Sequence, residues 1–303
     1  MHDIQLIFNP ASDRGRSGQK ASDLRAVVEK HGGADWAATD YPGQGAELAR
    51  EAAFKGYRRI VALGGDGTVH EVVNGLMDVP PEKRPQLGVV PIGSGNDFAH
   101  ASGVSMDMQQ AMIRAFEGAP APVDVGRITD GNGRSEYFDN SAGFLFDAAV
   151  NVESRKITRI YGFPLYLAAT VRSIIKHYDA TRLKFEIDGE KIERDLLMFT
   201  IGNGPREGGG FMVTPDAKND DGVFDYLMVD PISRPMMFYL LPIVMQGNHG
   251  GFKFVRLNRF HKLSFEADRA VPIHLDGELW APYEADVRRV EVEMYAGAVE
   301  LVR

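Results

Sequence analysis

The stretch from Arg58 to Leu76 constrains this chain more than any other. Ile60 to Leu63 is a short apolar run of the kind a buried strand shows, and Gly64, Gly65 and Gly67 follow at once. From Val69 the apolar residues Val69, Val72, Val73 and Leu76 fall at helical spacing. The segment reads strand, glycine turn, helix. Glycine tolerates positive φ and lets a ligand approach bare N–H groups. The helix start adds unpaired donors and a partial positive charge, which suit a phosphate. Asp66 puts a carboxylate inside that turn, and an anion site that includes a carboxylate points to a Mg²⁺ bridging the two. The pattern is neither Walker A, because no Gly-Lys-Ser/Thr follows, nor G-x-G-x-x-G. On spacing alone, a tight strand-to-helix turn without a ligand reads equally well.

A second turn shifts that balance. Leu87 to Ala99 again runs from a strand (Leu87, Val89, Val90) into Gly93-Ser94-Gly95-Asn96 with an acid, Asp97, behind it. Two such turns, each closing a strand, can face one ligand from the carboxyl edge of a parallel sheet. Thr68 and Ser94 add hydroxyl donors, and Asn9 closes the first apolar run. Taken without a ligand, Asn9-Pro10 is a strand-ending turn, Asp97 a helix cap and Asp124 an exposed strand position.

The pattern also divides the chain. Ile4 to Phe8, Trp36 to Thr39, Ile60 to Leu63 and Leu87 to Val90 read as strands, separated by helices over Gln19–His31 and Ala46–Lys55. Ser105 is placed to cap a further helix ending at Phe116. Alternating strand and helix predicts a doubly wound parallel sheet with helices on both faces. After Pro120-Ala121-Pro122 the rhythm changes. Strands are expected at 123–128, 135–140, 183–187, 192–201, 223–229, 261–266, 271–275 and 290–295, with Asp130-Gly131, Asp188-Gly189 and Asp276-Gly277 as hairpin turns. Helical stretches are expected at 154–178 and 234–246. The predicted fold class is therefore an N-terminal doubly wound α/β nucleotide-binding domain followed by a β-rich, sandwich-like domain.

With 303 residues, about two domains are expected. A net charge of −8 argues against a general nucleic-acid binder, and the absence of cysteine removes disulfides and thiol chemistry. Asp3 and the lack of a basic-then-apolar leader argue against a signal peptide. The most apolar stretch, Pro235 to Met245, is broken by Pro242 and far short of the roughly 20 residues a spanning helix needs. The expectation is a cytoplasmic protein whose membrane contact is peripheral, at the inner face. Two stretches could meet lipid. One is 154–178, with Arg155, Lys156, Arg159, Arg172 and Lys176 beside Tyr161, Phe163 and Tyr166. The other is the apolar run Met236, Met237, Phe238, Leu240 and Leu241. Core packing beneath a solvated basic face accounts for both equally well. The eight histidines show no ligand spacing.

Asn9-Pro10-Ala11-Ser12, Gly64-Gly65-Asp66-Gly67-Thr68 and Pro91-Ile92-Gly93-Ser94-Gly95-Asn96-Asp97 resemble the three nucleotide-site motifs of the diacylglycerol kinase-like lipid kinases. Val123-Asp124-Val125-Gly126, Gly202-Asn203-Gly204, Gly208 to Phe211, Pro215-Asp216-Ala217, Asp221-Gly222 and Asp276-Gly277-Glu278 continue the likeness in the family's order, closest to its small bacterial members. The resemblance implies a lipid hydroxyl phosphorylated with ATP and Mg²⁺. Asn9, Ser12, Thr39, Gly64, Gly65, Asp66, Gly67, Thr68, Ser94, Gly95 and Asn96 would bind the nucleotide. Asp66, Asp97 and Asp124 would lie near Mg²⁺, and Glu278 would be the general base, with Asp276 as its support. The base role would need the second domain to bring its turn over the first domain's cradle.

Lys218 and Val223, through backbone carbonyls, and Asp221, through its carboxylate, would hold a second, structural metal; a plain Asp-Gly turn is the alternative. The likeness also implies that the C-terminus, from about residue 296, returns to the first domain (1–124), leaving 125–295 as the substrate domain, and it makes a homodimer an expectation. Asp13, where the first motif usually continues with glycine, departs from the family pattern, and Ser94 stands where many bacterial relatives carry threonine. A kinase of a soluble substrate such as NAD shares the Gly-Gly-Asp-Gly turn. A nucleotide- or lipid-binding module without catalysis is the remaining alternative.

Overall fold

The computed structural model describes residues 2–10, 17–160 and 162–303. The expectations for Ser12, Asp13 and Tyr161 lie outside the described residues. The chain forms two compact units: Met1–Val125 with Ala296–Arg303, and Gly126–Tyr295.

The first unit alternates as its sequence predicts: β1 Ile4–Phe8, α1 Ser17–Lys30, β2 Asp35–Ala38, α2 Gln44–Lys55, β3 Arg59–Gly64, α3 Asp66–Met77, β4 Gln86–Pro91, α4 Asp97–Ala101 and α5 Met108–Glu117. The strands pair in parallel in the order β2-β1-β3-β4. Phe8 lies beside Ala38 and Leu63, and Gly64 beside Pro91, so the four strands finish along one edge. The residues after them, Asn9, Thr39, Gly65 and Ile92, therefore share that edge. The crossovers reverse direction between β1 and β3, where open α/β sheets take their ligands. β3 is buried throughout, as a parallel strand covered on both faces must be. Its Arg59 is buried too, and the guanidinium donates to the carbonyls of Ala115, Phe116 and Gly118, closing the C-terminus of α5. At the other end of α5 the cap is Asp107, not the expected Ser105. The Asp107 carboxylate accepts from Gln109 and Gln110 N–H at 2.9 Å, while the Ser105 hydroxyl accepts only from Asp107 N–H. A carboxylate two residues nearer the helix outcompetes a hydroxyl that is out of reach of the second and third amides.

The strand β5, Pro120–Asp130, leads into the second unit. There follow β6 Ser135–Phe138, β7 Ser141–Leu145, α6 Phe146–Ser154, α7 Phe163–Lys176, β8 Thr181–Ile187, β9 Glu190–Leu196, β10 Met198–Gly202, β11 Phe224–Val229, α8 Arg234–Met245, β12 Val255–Phe260, β13 Lys262–Ala267, β14 Ile273–Leu275, β15 Glu278–Ala281 and β16 Arg289–Val302. The end of β16 belongs to the first unit, where Leu301 and Val302 pair in parallel with Leu87 and Gly88 of β4. Within the second unit, one antiparallel sheet runs β16-β13-β8-β9 and the other β12-β11-β10-β7-β14-β15. Rings join the two faces: Phe144 of β7 meets Phe265 of β13 at 5.2 Å, and Phe185 of β8 meets Phe199 of β10 at 5.1 Å. β8 alternates buried and exposed residues without a fault. All three expected Asp-Gly hairpins form, between β5 and β6, β8 and β9, and β14 and β15.

Two segments differ from expectation. The helix expected at 154–178 is met only by α7, 163–176; α6, 146–154, precedes it and was not expected. Gly162, at φ 59°, and Pro164 start α7 afresh, because a proline suits only the first turn of a helix. The single strand expected at 192–201 is β9 and β10. Leu196 and Leu197 are both buried, so the two-residue alternation slips by one there, and the chain leaves one sheet for the other. β7 and β12 are strands the pattern did not reveal, and β15 was implied only by the hairpin turn at Asp276-Gly277. The cations of the 154–178 segment largely converge on one buried carboxylate: Glu153, 1% exposed, takes Lys156 at 2.7 Å, Arg172 at 3.1 Å, His177 at 3.2 Å and Lys176 at 3.4 Å.

Candidate active site

In the first unit, the two glycine turns interlock. Ile92 and Gly93 N–H both donate to Gly64 O, at 3.0 and 3.2 Å. A Cβ on Gly93 would lie 2.3 Å from Gly65 Cα, and one on Gly95 would lie 2.6 Å from Asp66 Oδ2. A side chain at Gly93 would run into backbone, and one at Gly95 into the Asp66 carboxylate. Asp66 opens α3, and its Oδ1 accepts from Phe98 N–H at 3.2 Å, so the acid of the first turn grips the start of α4 behind the second. Asn96 takes a left-handed conformation (φ 57°) and donates from Nδ2 to Gly93 O at 3.0 Å. Its Oδ1 is buried with no hydrogen-bond partner among the described residues. Asp97 is buried as well. Burial, and next the charge of Asp97, push the Asp66 carboxyl up to about 7, against the pull of the amides of residues 96–98. Two crowded carboxylates beside bare amides suit a hard divalent cation carrying phosphates.

The other expected residues of this unit fall as follows. Thr68 is buried on α3 against Gly64, Gly65 caps α3, Gly67 follows Asp66 inside it, and Ser94 is exposed in the second turn. Asn9 is half-buried at the end of β1. Thr39 is buried after β2 and donates its N–H to Phe8 O at 2.9 Å. Asp124 is 2% exposed rather than surface-facing, and its Oδ1 accepts from Gly297 N–H at 2.7 Å. A residue without a sequence signal joins the edge: Lys20 of α1 donates from Nζ to Ile92 O at 2.8 Å, beside the second turn.

In the second unit, the turn between β14 and β15 is built around Asp276 and Gly277, both left-handed at φ 50° and 82°, as a two-residue hairpin of this twist requires. The Asp276 carboxylate is buried and accepts three consecutive amides, Asp139 at 3.0 Å, Asn140 at 2.8 Å and Ser141 at 2.9 Å. It thus supports the turn. Glu278 comes next and is exposed, with Arg155 Nη2 at 2.9 Å from its Oε2. The 218–223 loop is an Asp-Gly turn: Gly222 has φ 76°, and Asp221 accepts from Val223 N–H at 3.4 Å. Arg259 lies 3.5 Å from Asp221 and 3.4 Å from the buried Asp225, so a cationic side chain already faces these acids.

A model of the diacylglycerol kinase catalytic domain matches residues 3–128, and one of the YegS C-terminal NAD kinase β-sandwich-like domain matches residues 140–303. The chain belongs to the diacylglycerol kinase-like lipid kinases. Among relatives, a YegS-like lipid kinase of Chromohalobacter salexigens is 36% identical over 241 residues, 78% of this chain and 74% of the relative. A diacylglycerol kinase of Bacillus subtilis is 28% identical over 282 residues, 92% and 90%. A solved structure from Bacillus anthracis superposes with a TM-score of 0.80 at 23% identity, covering 99% of this chain and 96% of that one, and shares the fold. As a lipid kinase of this family, the protein is a phosphotransferase with an alcohol group as acceptor. Among its described residues no helix is long and apolar enough to cross a membrane.

Proposed function

We propose that this lipid kinase transfers the γ-phosphoryl group of ATP to the hydroxyl of diacylglycerol or a related lipid. The interlocked turns of 64–68 and 93–97, with Asp66 gripping the start of α4, carry the reading. Bare amides at two strand ends receive the phosphates, and Asp66, Asp97 and Asp124 are the acids assigned to Mg²⁺. That ion, when bound, spreads the charge of the transferring group. The lipid oxygen forms a bond to the γ-phosphorus, the bond from that phosphorus to the bridging oxygen of ADP breaks, and the proton goes to the Glu278 carboxylate. Glu278 is assigned as base from the resemblance and from its place one residue beyond a rigid turn. The loop at Lys218, Asp221 and Val223 is assigned a structural cation on resemblance alone. Exposed apolar side chains on the helical part of the second unit, Ile175 of α7 and Phe238 and Tyr239 of α8, support peripheral contact with a lipid surface.

The test is ATP-dependent phosphorylation across a total lipid extract, read by mass shift, with NAD as the soluble competitor. A lipid gaining one phosphoryl group with the wild type and not with Asp66→Ala supports the proposal. Phosphorylation of NAD and of no lipid overturns it, and ATP binding without transfer leaves a binding module.

A further inference from the structure

The second unit encloses a group of polar side chains that phosphoryl transfer does not obviously need. Asp147, in the first turn of α6, Glu207, after β10, and His274, in β14, bring a carboxylate oxygen each and an imidazole nitrogen within 4.8 Å of one another. The sheet makes room for them. His274 stands opposite Gly143 of β7, and Gly143 opposite Thr200 of β10. A Cβ at Gly143 would lie 2.1 Å from His274 Nε2 and 2.3 Å from Asp147 Oδ2. Thr200 Oγ1 donates to Asp147 Oδ2, and His274 Nε2 lies 3.5 Å from the same oxygen and 3.8 Å from Glu207 Oε2. Burying such groups is expensive unless each holds the others in a defined arrangement.

The arrangement reaches the turn that bears the base. Gly277 N–H donates to His274 Nδ1 at 3.3 Å. That nitrogen must therefore offer a lone pair, which leaves the hydrogen on Nε2, directed at Asp147. Burial alone would raise the Asp147 carboxyl. His274, with hydrogen bonds from His274, Glu207 and Thr200, holds it below its ordinary value, so it remains the acceptor that this tautomer needs. On the next peptide, Asn151 of α6 donates from Nδ2 to Gly277 O. The residue preceding Glu278 is thus clamped at its N–H by an imidazole and at its C=O by an amide.

We infer that His274, oriented by Asp147, is a positioning residue for Glu278: through Gly277 it fixes where the carboxylate of the catalytic turn points. The inference rests on Glu278 being the base. Loss of the acceptor lets the turn shift, and misplacement of a reacting group by about 1 Å costs on the order of 100-fold in rate. The Asn side chain carries its Oδ1 where histidine carries Nδ1, whereas Gln does not.

The experiment compares His274→Ala, His274→Gln and His274→Asn with the wild type in steady-state assays of the full chain. The expected result is a kcat about 10- to 100-fold lower for His274→Ala and His274→Gln, with KM for ATP unchanged, and recovery to within about threefold for His274→Asn. Equal kcat values in all three variants would overturn the inference, as would losses that follow thermal midpoint rather than the acceptor. Asn151→Ala leaves the buried acids in place and should reproduce the kcat-only loss should the His274 variants fold poorly; a normal kcat for it would also overturn the inference. In the double variant Glu278→Gln/His274→Ala, kcat should fall no further than with Glu278→Gln alone. Full activity of Glu278→Gln, by contrast, would refute the base assignment itself. One tightly held divalent metal per chain, lost in His274→Ala, would overturn the orienting role given to Asp147.

Discussion

The cradle of the first unit and the turn of the second are rigid for opposite reasons. Around Gly64, Gly65, Gly93 and Gly95 the shape comes from side chains that are missing: Gly65 and Gly93 bring backbone against backbone, Gly64 admits Thr68, Gly95 admits Asp66, and Asp66, crowded by Asp97, is electrostatically uncomfortable. Around Gly277 the shape comes from side chains that are present and buried: Asp276, His274 and Asn151 each hold a backbone group. The cradle stores discomfort that a cation relieves, while the turn is held by hydrogen bonds. Substitution of Asp66 should therefore damage chemistry and spare the fold, and substitutions in the second should cost stability unless they fall on Glu278.

The sharpest way to break that contrast is Asp66→Ala. It should lower kcat about 10³-fold with an unchanged circular dichroism spectrum; a variant with full activity would remove Asp66 from the site. The companion Asp66→Asn tests the discomfort directly. The folded carboxyl sits near 7, above its ordinary value of 3.8, so its penalty is complete above pH 7 and is relieved as pH falls towards 4. The thermal midpoint of Asp66→Asn should exceed that of the wild type at pH 8, and the gap should close by pH 4.

Asp276→Ala should behave the other way. It strands three buried amides and should cost about 3 kcal/mol, read as a lower urea midpoint. A midpoint within 0.5 kcal/mol of wild type, on the order of a surface substitution, would show that the turn is not held as described. Glu153→Gln asks whether a buried charge in this unit is a net gain. Burial would raise that carboxyl, but Lys156, His177 and Lys176 hold it near 2 against an ordinary 4.5. Its stabilisation, discounted to about 2 kcal/mol because its partners are half in water, is present above pH 4.5 and lost as pH falls towards 2. The variant should be less stable at pH 7 and nearly equal at pH 2.5. The smallest effect belongs to Arg155→Ala: its pair with Glu278 is exposed on both sides, and stability should change by less than about 0.5 kcal/mol in the same urea measurement.

The contrast also explains what the sequence revealed. The cradle is legible because its parts are contiguous: Gly64-Gly65-Asp66-Gly67 and Gly93-Ser94-Gly95-Asn96-Asp97 each announce a strand end, a turn and a helix start within a few residues. The three Asp-Gly hairpins were legible for the same reason. The anchoring of the turn before Glu278 was not. Asp276 takes its amides from residues 139–141, and His274 meets Asp147 and Glu207, more than 60 positions away in each case. No local pattern reports such partners. β7 escaped notice because Ser141, Ala142 and Gly143 are small, and the bare Gly143 is what admits His274 from the neighbouring strand. The break between α6 and α7 did carry a local mark, Gly162 with Pro164, which the apolar periodicity of the segment obscured. Lys20 left no mark, since a lysine on a helix usually means water.

The Asp276 turn has a consequence for how the protein tolerates change. Position 276 asks for a residue content with positive φ, which favours asparagine, aspartate and glycine, and for two oxygens that take three amides, which leaves aspartate. Position 278 asks nothing of folding, because its side chain stands in solvent. In a library randomised at both codons, a screen for soluble expression should return one letter at 276 and nearly all letters at 278. A screen for turnover in the same library should then return glutamate at 278, so that two selections applied to neighbouring codons separate what builds the molecule from what makes it work.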